Sequence, residues 1–467
     1  MENKINYSEQ FLKDAETKTF DPAHRETIKF NIGRYNTSVQ KGMGQFSDYE
    51  SARSIAAYAK GYAINNLHRL LLRFEENFTN NGGKVIWAQN KEEAQYEILN
   101  ILRKKRARSV VKSKTMISEE IHLNDFLEHN GIEAIETDLG EYIVQLAGQK
   151  PYHIVTPAMH MSRKDIADLF VEKLKIPFTD DPRDLTLTAR KLLRQKYLEA
   201  EVGITGVNFM VADTGGIAIT ENEGNARLST SFPKTHIAIA GIEKMLASIS
   251  DLGLMWPMLS TSGTGQNVTV YNTILHGPRK SNETDGPEEM YLILLDNGRT
   301  KLLADAEKRE ALNCIRCGAC LNTCPVYKNI GGHTYKTTYS GPIGSVITPH
   351  YEGMENFKHL SYSSSLCGAC TSVCPVKINI HNLLLLNRNQ SIREKKYSRV
   401  EKFGFQLWKK GMLNRKMMNM GGGNAKNLLI KVLFRNSWGK RRAMPILAPK
   451  TFNQIWLEKA EQDKKII

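Results

Sequence analysis

All seven cysteines of this 467-residue chain fall between positions 314 and 374, spaced as a set of metal ligands. Residues 314–325 read CIRCGACLNTCP, a C-x2-C-x2-C-x3-C-P run. In that spacing three thiolates wrap one face of an iron–sulfur cube, Gly318 and Ala319 keep the backbone close, and the fourth cysteine serves a second cluster. Residues 367–375 read CGACTSVCP, a second copy lacking its first cysteine, whose place three residues back from Cys367 is held by Ser364. Cross-ligation assigns Cys314, Cys317, Cys320 and Cys374 to cluster 1, and Cys324, Cys367 and Cys370 to cluster 2. Two 4Fe–4S clusters are expected. The second has three thiolates, so its fourth corner falls to Ser364 or another non-cysteine ligand, or the site holds a three-iron form. Tetrahedral zinc is the other chemistry that C-x2-C pairs serve, but seven cysteines with two C-P endings favour iron–sulfur. Clusters linked by shared motifs lie close together and suit one-electron transfer from a donor to an acceptor.

The elements that must position these thiols belong to a chain long enough for more than one core. With 41% hydrophobic and 24% charged residues the composition is that of a globular protein, and no apolar run reaches the length of a membrane span. The first twenty residues mix both charge signs and lack the apolar core of a secretory signal, so a cytoplasmic location is expected. Cysteines confined to one region read as reduced ligands, not as a disulfide framework. The net charge of +15 is uneven: from Arg388 onward there are 20 Lys/Arg against 5 Asp/Glu. The first 387 residues are therefore close to neutral.

Residues 1–50 are polar and weakly periodic and read as an extension that wraps on later structure or frays. From Ser51 to about Phe78 helical spacing of apolar residues predicts one long amphipathic helix, ended by Asn80-Asn81-Gly82-Gly83. Beyond it, β-type runs at Lys84–Ala88, Ser109–Lys112, Ile132–Thr137 and His153–Pro157 alternate with helical stretches around 92–104, 118–130, 162–174 and 183–202. Such alternation predicts an α/β domain with a mostly parallel sheet over 51–300. Val207–Ala212, Gly216–Thr220, His236–Ala240 and Met290–Leu295 read as further strands. A helix-like 299–311 leads into a small α-helical, two-cluster ferredoxin-like domain over 301–390. Residues 391–467, with three of the five tryptophans, read as a basic, partly helical extension.

Several other residues could do chemistry. DTGGIAITENEGN (213–225) reads as a hairpin turn at Gly215-Gly216, while ENEG resembles the glutamate-bearing turn of coenzyme A transferases, which makes Glu221 and Glu223 candidates. VKSKTMISEE (111–120) leaves a strand and enters a helix, so Lys112 or Lys114 could hold an anion, or Ser118 could simply cap the helix. Glu136, Asp138 and Glu141 could bind a metal or an amine, or serve as caps and surface charges. His153, His160, His333 and His350 lack metal spacing, and structural or surface roles are expected for them. GGHTYKTTYSGPIGS (331–345) reads as a shaped loop over the clusters or a surface for an electron partner.

Four segments carry a resemblance to a known family: VKSKTMISEEIHLNDFLEHNGIEAIETDLGEYIVQL (111–146), GITGVNFMVADTGGIAITENEGNARL (203–228), CIRCGACLNTCPVYKNIGGHTYKTTYSGPIGSVITP (314–349) and SSLCGACTSVCPVKINIHNLLL (364–385). On these the chain resembles the lactate-utilisation protein B family of bacterial iron–sulfur proteins over most of its length. The resemblance implies that about 60–300 form the lactate-utilisation domain, related to the sugar-phosphate isomerase and coenzyme A transferase fold. It also implies a part in oxidising L-lactate to pyruvate, as electron carrier beside two other lactate-utilisation proteins. The ferredoxin part resembles the iron–sulfur subunits of glycolate oxidase and anaerobic glycerol-3-phosphate dehydrogenase. In the family as well the second motif is one cysteine short, so Ser364 is no departure.

The leading reading is therefore the electron-transfer subunit of an L-lactate-oxidising complex. No G-x-G-x-x-G run follows a predicted strand, so neither NAD nor flavin is expected. The alternative is a self-sufficient hydroxy-acid oxidoreductase or acyl-transfer enzyme with an accessory ferredoxin domain. A nucleic-acid-binding iron–sulfur protein is a third, disfavoured because no groove-reading motif is present. For the basic tail, docking to an acidic partner leads, ahead of peripheral contact with an anionic membrane surface.

Overall fold

The structure, a computed structural model, describes residues 6–395, 397, 399–438 and 443–464. The chain forms two compact units, 1–394 and 395–467. In the first, ten strands are present among the described residues: β1 Lys84–Ala88, β2 Ser109–Lys112, β3 Glu133–Glu136, β4 Val202–Gly206, β5 Phe209–Val211, β6 Gly216–Glu221, β7 Thr235–Gly241, β8 Met245–Leu246, β9 Tyr271–Leu275 and β10 Glu289–Leu295. Six form a sheet in the order β1-β10-β7-β4-β2-β3 with every neighbouring pair parallel. The central strand THIAIAG of β7 is buried along its whole length, the continuous apolar pattern of a sheet covered on both faces. The other four make a small mixed sheet, β8-β5-β6-β9, in which β5 and β6 are the two arms of the expected hairpin. Gly215, at φ +66°, turns that hairpin against the backbone of Asn77 and Phe78, where a Cβ would collide.

The fold is thus α/β with a mostly parallel sheet, followed by short helices around the cysteines, as the sequence predicts. Some elements differ. The helix predicted as one from Ser51 to Phe78 is two, Tyr49–Asn65 and Leu67–Asn80. Asn66 breaks it: its side-chain amide donates to the Tyr62 carbonyl at 2.9 Å and its backbone leaves the helical region. His153–Pro157 is not a strand. Its β-branched residues instead form a turn closed by the Tyr152 N–H on the Pro157 carbonyl, 2.9 Å. The region 331–345 is a 3-10 turn, His333–Tyr335, and the start of a buried helix, Gly341–Tyr351.

The amino-terminal segment is two helices, Tyr7–Thr19 and Pro22–Met43, the second capped by the Asp21 carboxylate with Pro22 in its first turn. They bury Phe11, Ile28 and Ile32 in the same core as Leu321, Tyr327, Tyr335, Ile347 and Leu383 of the cysteine region. Sheet and cysteine region therefore share one folded unit. The second unit holds helices Arg399–Leu413, Arg415–Asn419, Gly422–Trp438 and Phe452–Lys464, with Val400, Phe403, Trp408 and Leu413 largely exposed. Among the described residues no helix is long and apolar enough to cross a membrane.

Candidate metal centres

The two cysteine motifs fold as copies of one loop. In the first, Arg316 (φ +62°) and Gly318 (φ +83°) flank Cys317 and lead into the short helix Ala319–Thr323. In the second, Leu366 (φ +54°) and Gly368 (φ +79°) flank Cys367 and lead into Ala369–Ser372. Left-handed backbone at Arg and Leu is costly and persists only where the surroundings fix it. The Cys314 sulfur accepts from the Arg316 N–H at 3.4 Å, and the Ser364 oxygen accepts from the Leu366 N–H at 3.1 Å. Ser364 thus occupies the place of Cys314, with oxygen for sulfur.

The thiols meet in two sets. Cys320 lies in the field of Cys314, Cys317 and Cys374, Cys317 in that of Cys374 and Cys314, and Cys374 in that of Cys314. Separately, Cys370 lies in the field of Cys324 and Cys367, and Cys324 in that of Cys367. Burial pushes the Cys374 thiol up to about 12 and Cys370 up to about 11, and raises Cys317 and Cys320 further. Buried thiols ionise only beside a cation, which is what a metal centre supplies. All seven are free of disulfides. Among the described residues the one group with three metal-ligating atoms within 4.8 Å of one another is Glu119, Glu136 and Glu141, and no cysteine joins such a group.

Other elements hold the ligand loops. Arg53, from the helix Tyr49–Asn65, donates through Nε and Nη2 to the Cys374 carbonyl at 3.1 and 2.8 Å. Backbone N–H groups of Ile378 and Tyr327 reach the sulfurs of Cys374 and Cys324 at 3.3 and 3.5 Å, contacts of the kind that tune cluster potential. The first set is largely buried, while Cys367 of the second is exposed and Cys324 partly so.

A cavity of about 410 Å³ lies where the carboxyl ends of β2, β4 and β7 meet the first cysteine loop. Lys114, Asn208, Glu221, Glu223, Lys244 and Arg316 line it, with Cys317 on its wall. Behind it Arg299, fully buried, grips Glu120 through two bonds of 2.8 and 2.7 Å and Glu243 through Nε at 2.6 Å. Glu243 also meets Arg316 at 3.4 Å, and Tyr339 donates to Glu120 at 2.7 Å. Burial alone would raise Glu243; the Arg299 and Arg316 guanidiniums outweigh it and bring its pKa to about 2. This network ties the sheet to the cysteine region. Glu120, Glu243, Arg299, Arg316 and Lys244 escape a local reading; a charged pair inside the apolar run IAIAGIEKML was the one signal for Glu243 and Lys244.

The remaining candidates divide. Lys112 is buried with its ammonium 2.6 Å from Glu136 and 3.6 Å from Glu119, so the acidic group around Glu136 and Glu141 surrounds the chain's own amine. Asp138 caps the helix Leu139–Leu146. Ser118 accepts from Lys112 at 2.7 Å and donates to the Thr115 carbonyl. Both Glu221 oxygens accept backbone N–H groups, of Ala226 and Arg227, which makes it a cap; Glu223 accepts from Leu139. His153 is buried against the cysteine loop and accepts from the Val155 N–H at 3.1 Å. His160 and His333 come together: with His24 they surround Tyr152, with His24 Nε2 2.6 Å from its hydroxyl and His160 stacked on its ring at 4.7 Å. His350 bonds Asn387 at 2.9 Å.

Known proteins resemble the chain over these same regions. Residues 71–295 match the LUD domain and residues 310–378 the 4Fe-4S dicluster domain. Proteins named Lactate utilization protein B, from Bacillus velezensis and Bacillus thuringiensis, are 44% and 43% identical over 390 and 389 residues, covering 83% of this chain and 82% of each relative. A solved structure of a DUF162 family protein from Deinococcus radiodurans aligns with 49% of this chain and 98% of its own, at 12% identity and a TM-score of 0.28, too low to bear on the fold. With iron–sulfur ligand loops in a dicluster domain behind a LUD domain, and that identity across both, the chain is a member of the lactate utilization protein B family.

Proposed function

We propose that this chain is the electron-transfer component of an L-lactate-oxidising system that lets cells use lactate as a carbon source. The observation that carries the reading is the grouping of the seven thiols into four and three across the two motifs. Cys314, Cys317, Cys320 and Cys374 would hold one 4Fe–4S cluster, and Cys324, Cys367 and Cys370 the other, with Ser364 at its fourth corner. Bound there, such clusters take up and release single electrons. The chain's own part is to bury the first set beside the cavity, bring the second to the surface at Cys367, and fix both through Arg53 and the repeated loops. An exposed second site suits delivery to a separate protein in a short-lived complex.

Deleting the gene should abolish growth on L-lactate and spare growth on glucose. Normal growth on lactate, in a strain with no second lactate dehydrogenase, would overturn the role.

Two other lactate-utilisation proteins are the partners we propose, in the cytoplasm, with the basic tail as the docking element. In that unit, apolar side chains such as Phe403 and Trp408 stand exposed among lysines and arginines. Removing residues after about 400 should leave both clusters assembled yet weaken co-purification with partners, most visibly at low ionic strength. Loss of the clusters instead would make the tail a structural cover. If only binding to anionic vesicles suffers, the tail meets a membrane surface.

A further inference from the structure

The cavity beside the first cysteine loop has properties that electron carriage alone does not require. It opens at the carboxyl ends of central parallel strands, where α/β sheets place their ligands, and its volume of about 410 Å³ is that of a small-molecule site. Two cations on its wall have unused donors. The Lys244 ammonium makes no hydrogen bond or ion pair with any described residue. The Arg316 side chain, 10% exposed, spends Nη2 on Glu243 and leaves Nη1 without an acceptor. Arg299 lies on the same wall, so this end of the cavity gathers three basic side chains, Lys244, Arg299 and Arg316, against Glu243 and Glu120. An unmatched guanidinium N–H out of water is unfavourable, and a carboxylate is its planar, two-oxygen partner.

A second group of charges, Lys114, Asp138, Glu221 and Glu223, lines the same cavity. There Glu223 is pushed up to about 7, by burial first and by Asp138 next. A carboxyl in that state both donates and accepts, as a hydroxyl or carbonyl oxygen on the ligand requires.

We propose that this cavity binds a small 2-hydroxy or 2-oxo carboxylic acid, its carboxylate held by Arg316 and Lys244 and its 2-oxygen facing Glu223, against the wall that carries Cys317. The site deepens the lactate reading and rests on it for the choice of acid. It places an organic acid in the chain that holds the clusters, beside the first thiol set, whereas the second reaches solvent at Cys367. The three-carbon acids leave room to spare, so longer 2-hydroxy acids fit as well.

The test is calorimetric titration of the full chain, purified anaerobically with both clusters loaded. The ligands are L-lactate, pyruvate, lactamide, which lacks the carboxylate, and inorganic phosphate. L-Lactate or pyruvate should bind saturably and lactamide should not. Arg316→Gln and Lys244→Gln should each weaken binding roughly tenfold or more, the loss of a charged hydrogen bond. If Arg316→Gln fails to assemble its clusters, Lys244→Gln, outside the cysteine loop, decides. Absence of saturable binding, equal binding by the Lys244 variant, or phosphate binding as tight as that of the acids would overturn the site. In the first case the cations would serve only to balance the first cluster's charge. Titration needs neither partner nor turnover. A chain that binds acid but exchanges no electrons refutes the electron reading alone, and a redox-active chain that binds no acid refutes the site alone.

Discussion

Cys374→Ala should strip the first cluster and spare the second, although Cys374 belongs to the second motif. Its sulfur lies with Cys314, Cys317 and Cys320, and its carbonyl is anchored by Arg53. Electron paramagnetic resonance of the reduced protein should show one of two signals lost, with the iron content about halved. Loss of the other signal would refute the cross-ligation assignment. The same spectra bear on the unequal sites. Three thiolates and an oxygen hold iron less firmly than four thiolates, and Cys367 is open to solvent. Brief exposure to air should therefore convert the second cluster to a three-iron form first, and Ser364→Cys should slow that conversion. Decay of both clusters together would remove the distinction.

The largest stability loss is expected at Arg299. Its side chain is 1% exposed, and the carboxylates it satisfies, Glu120 and Glu243, are 3% and 2% exposed. Arg299→Met keeps much of the volume but leaves buried Glu120 without a counter-ion and Glu243 with only the longer contact to Arg316. Breaking a buried pair in this way costs about 3–5 kcal/mol, against a total of about 5–15 kcal/mol for a folded protein. Arg299→Lys should recover little, since one ammonium cannot replace a fork that reaches both acids. Urea midpoints of the variants measure this. Adding Glu120→Gln to Arg299→Met should restore part of the loss, and a loss below about 1 kcal/mol for Arg299→Met alone would show that the pair is replaceable. Because Glu243 is held near 2, the network's contribution is present above the ordinary carboxylate range near 4. It is lost as pH falls from there through about 2.

What was legible in the sequence was the part that is local. The ligand spacing lies within twelve residues, and β1 and β2 are short apolar runs with clear ends, so their bounds agree with the structure. The β4 strand was hidden at the end of a helical run because Gly203 and Gly206 weaken its strand pattern. Gly203 is there for a distant reason: a Cβ would stand 1.8 Å from the Ser229 carbonyl of the helix packed on it. HIVTP reads as a strand and is a turn because β-branching marks extended backbone without saying whether a partner strand exists. Glu120, Glu243, Arg299, Arg316 and Tyr339 meet from over two hundred residues of chain, and the Tyr152 histidine cluster from over three hundred. Nothing periodic announces such meetings.

The two amino-terminal helices have a consequence for how the protein is made. Phe11 packs on Tyr335 and His359, with ring centroids 5.8 and 5.3 Å away. The ribosome releases the first helix long before it has built the surface that covers it. At about 5–20 residues per second the interval is roughly 15–70 s, during which Phe11 has no permanent home. The first-made helices therefore close over a cysteine region made hundreds of residues later. A nascent chain held short of residue 360 should keep its amino terminus open to proteases.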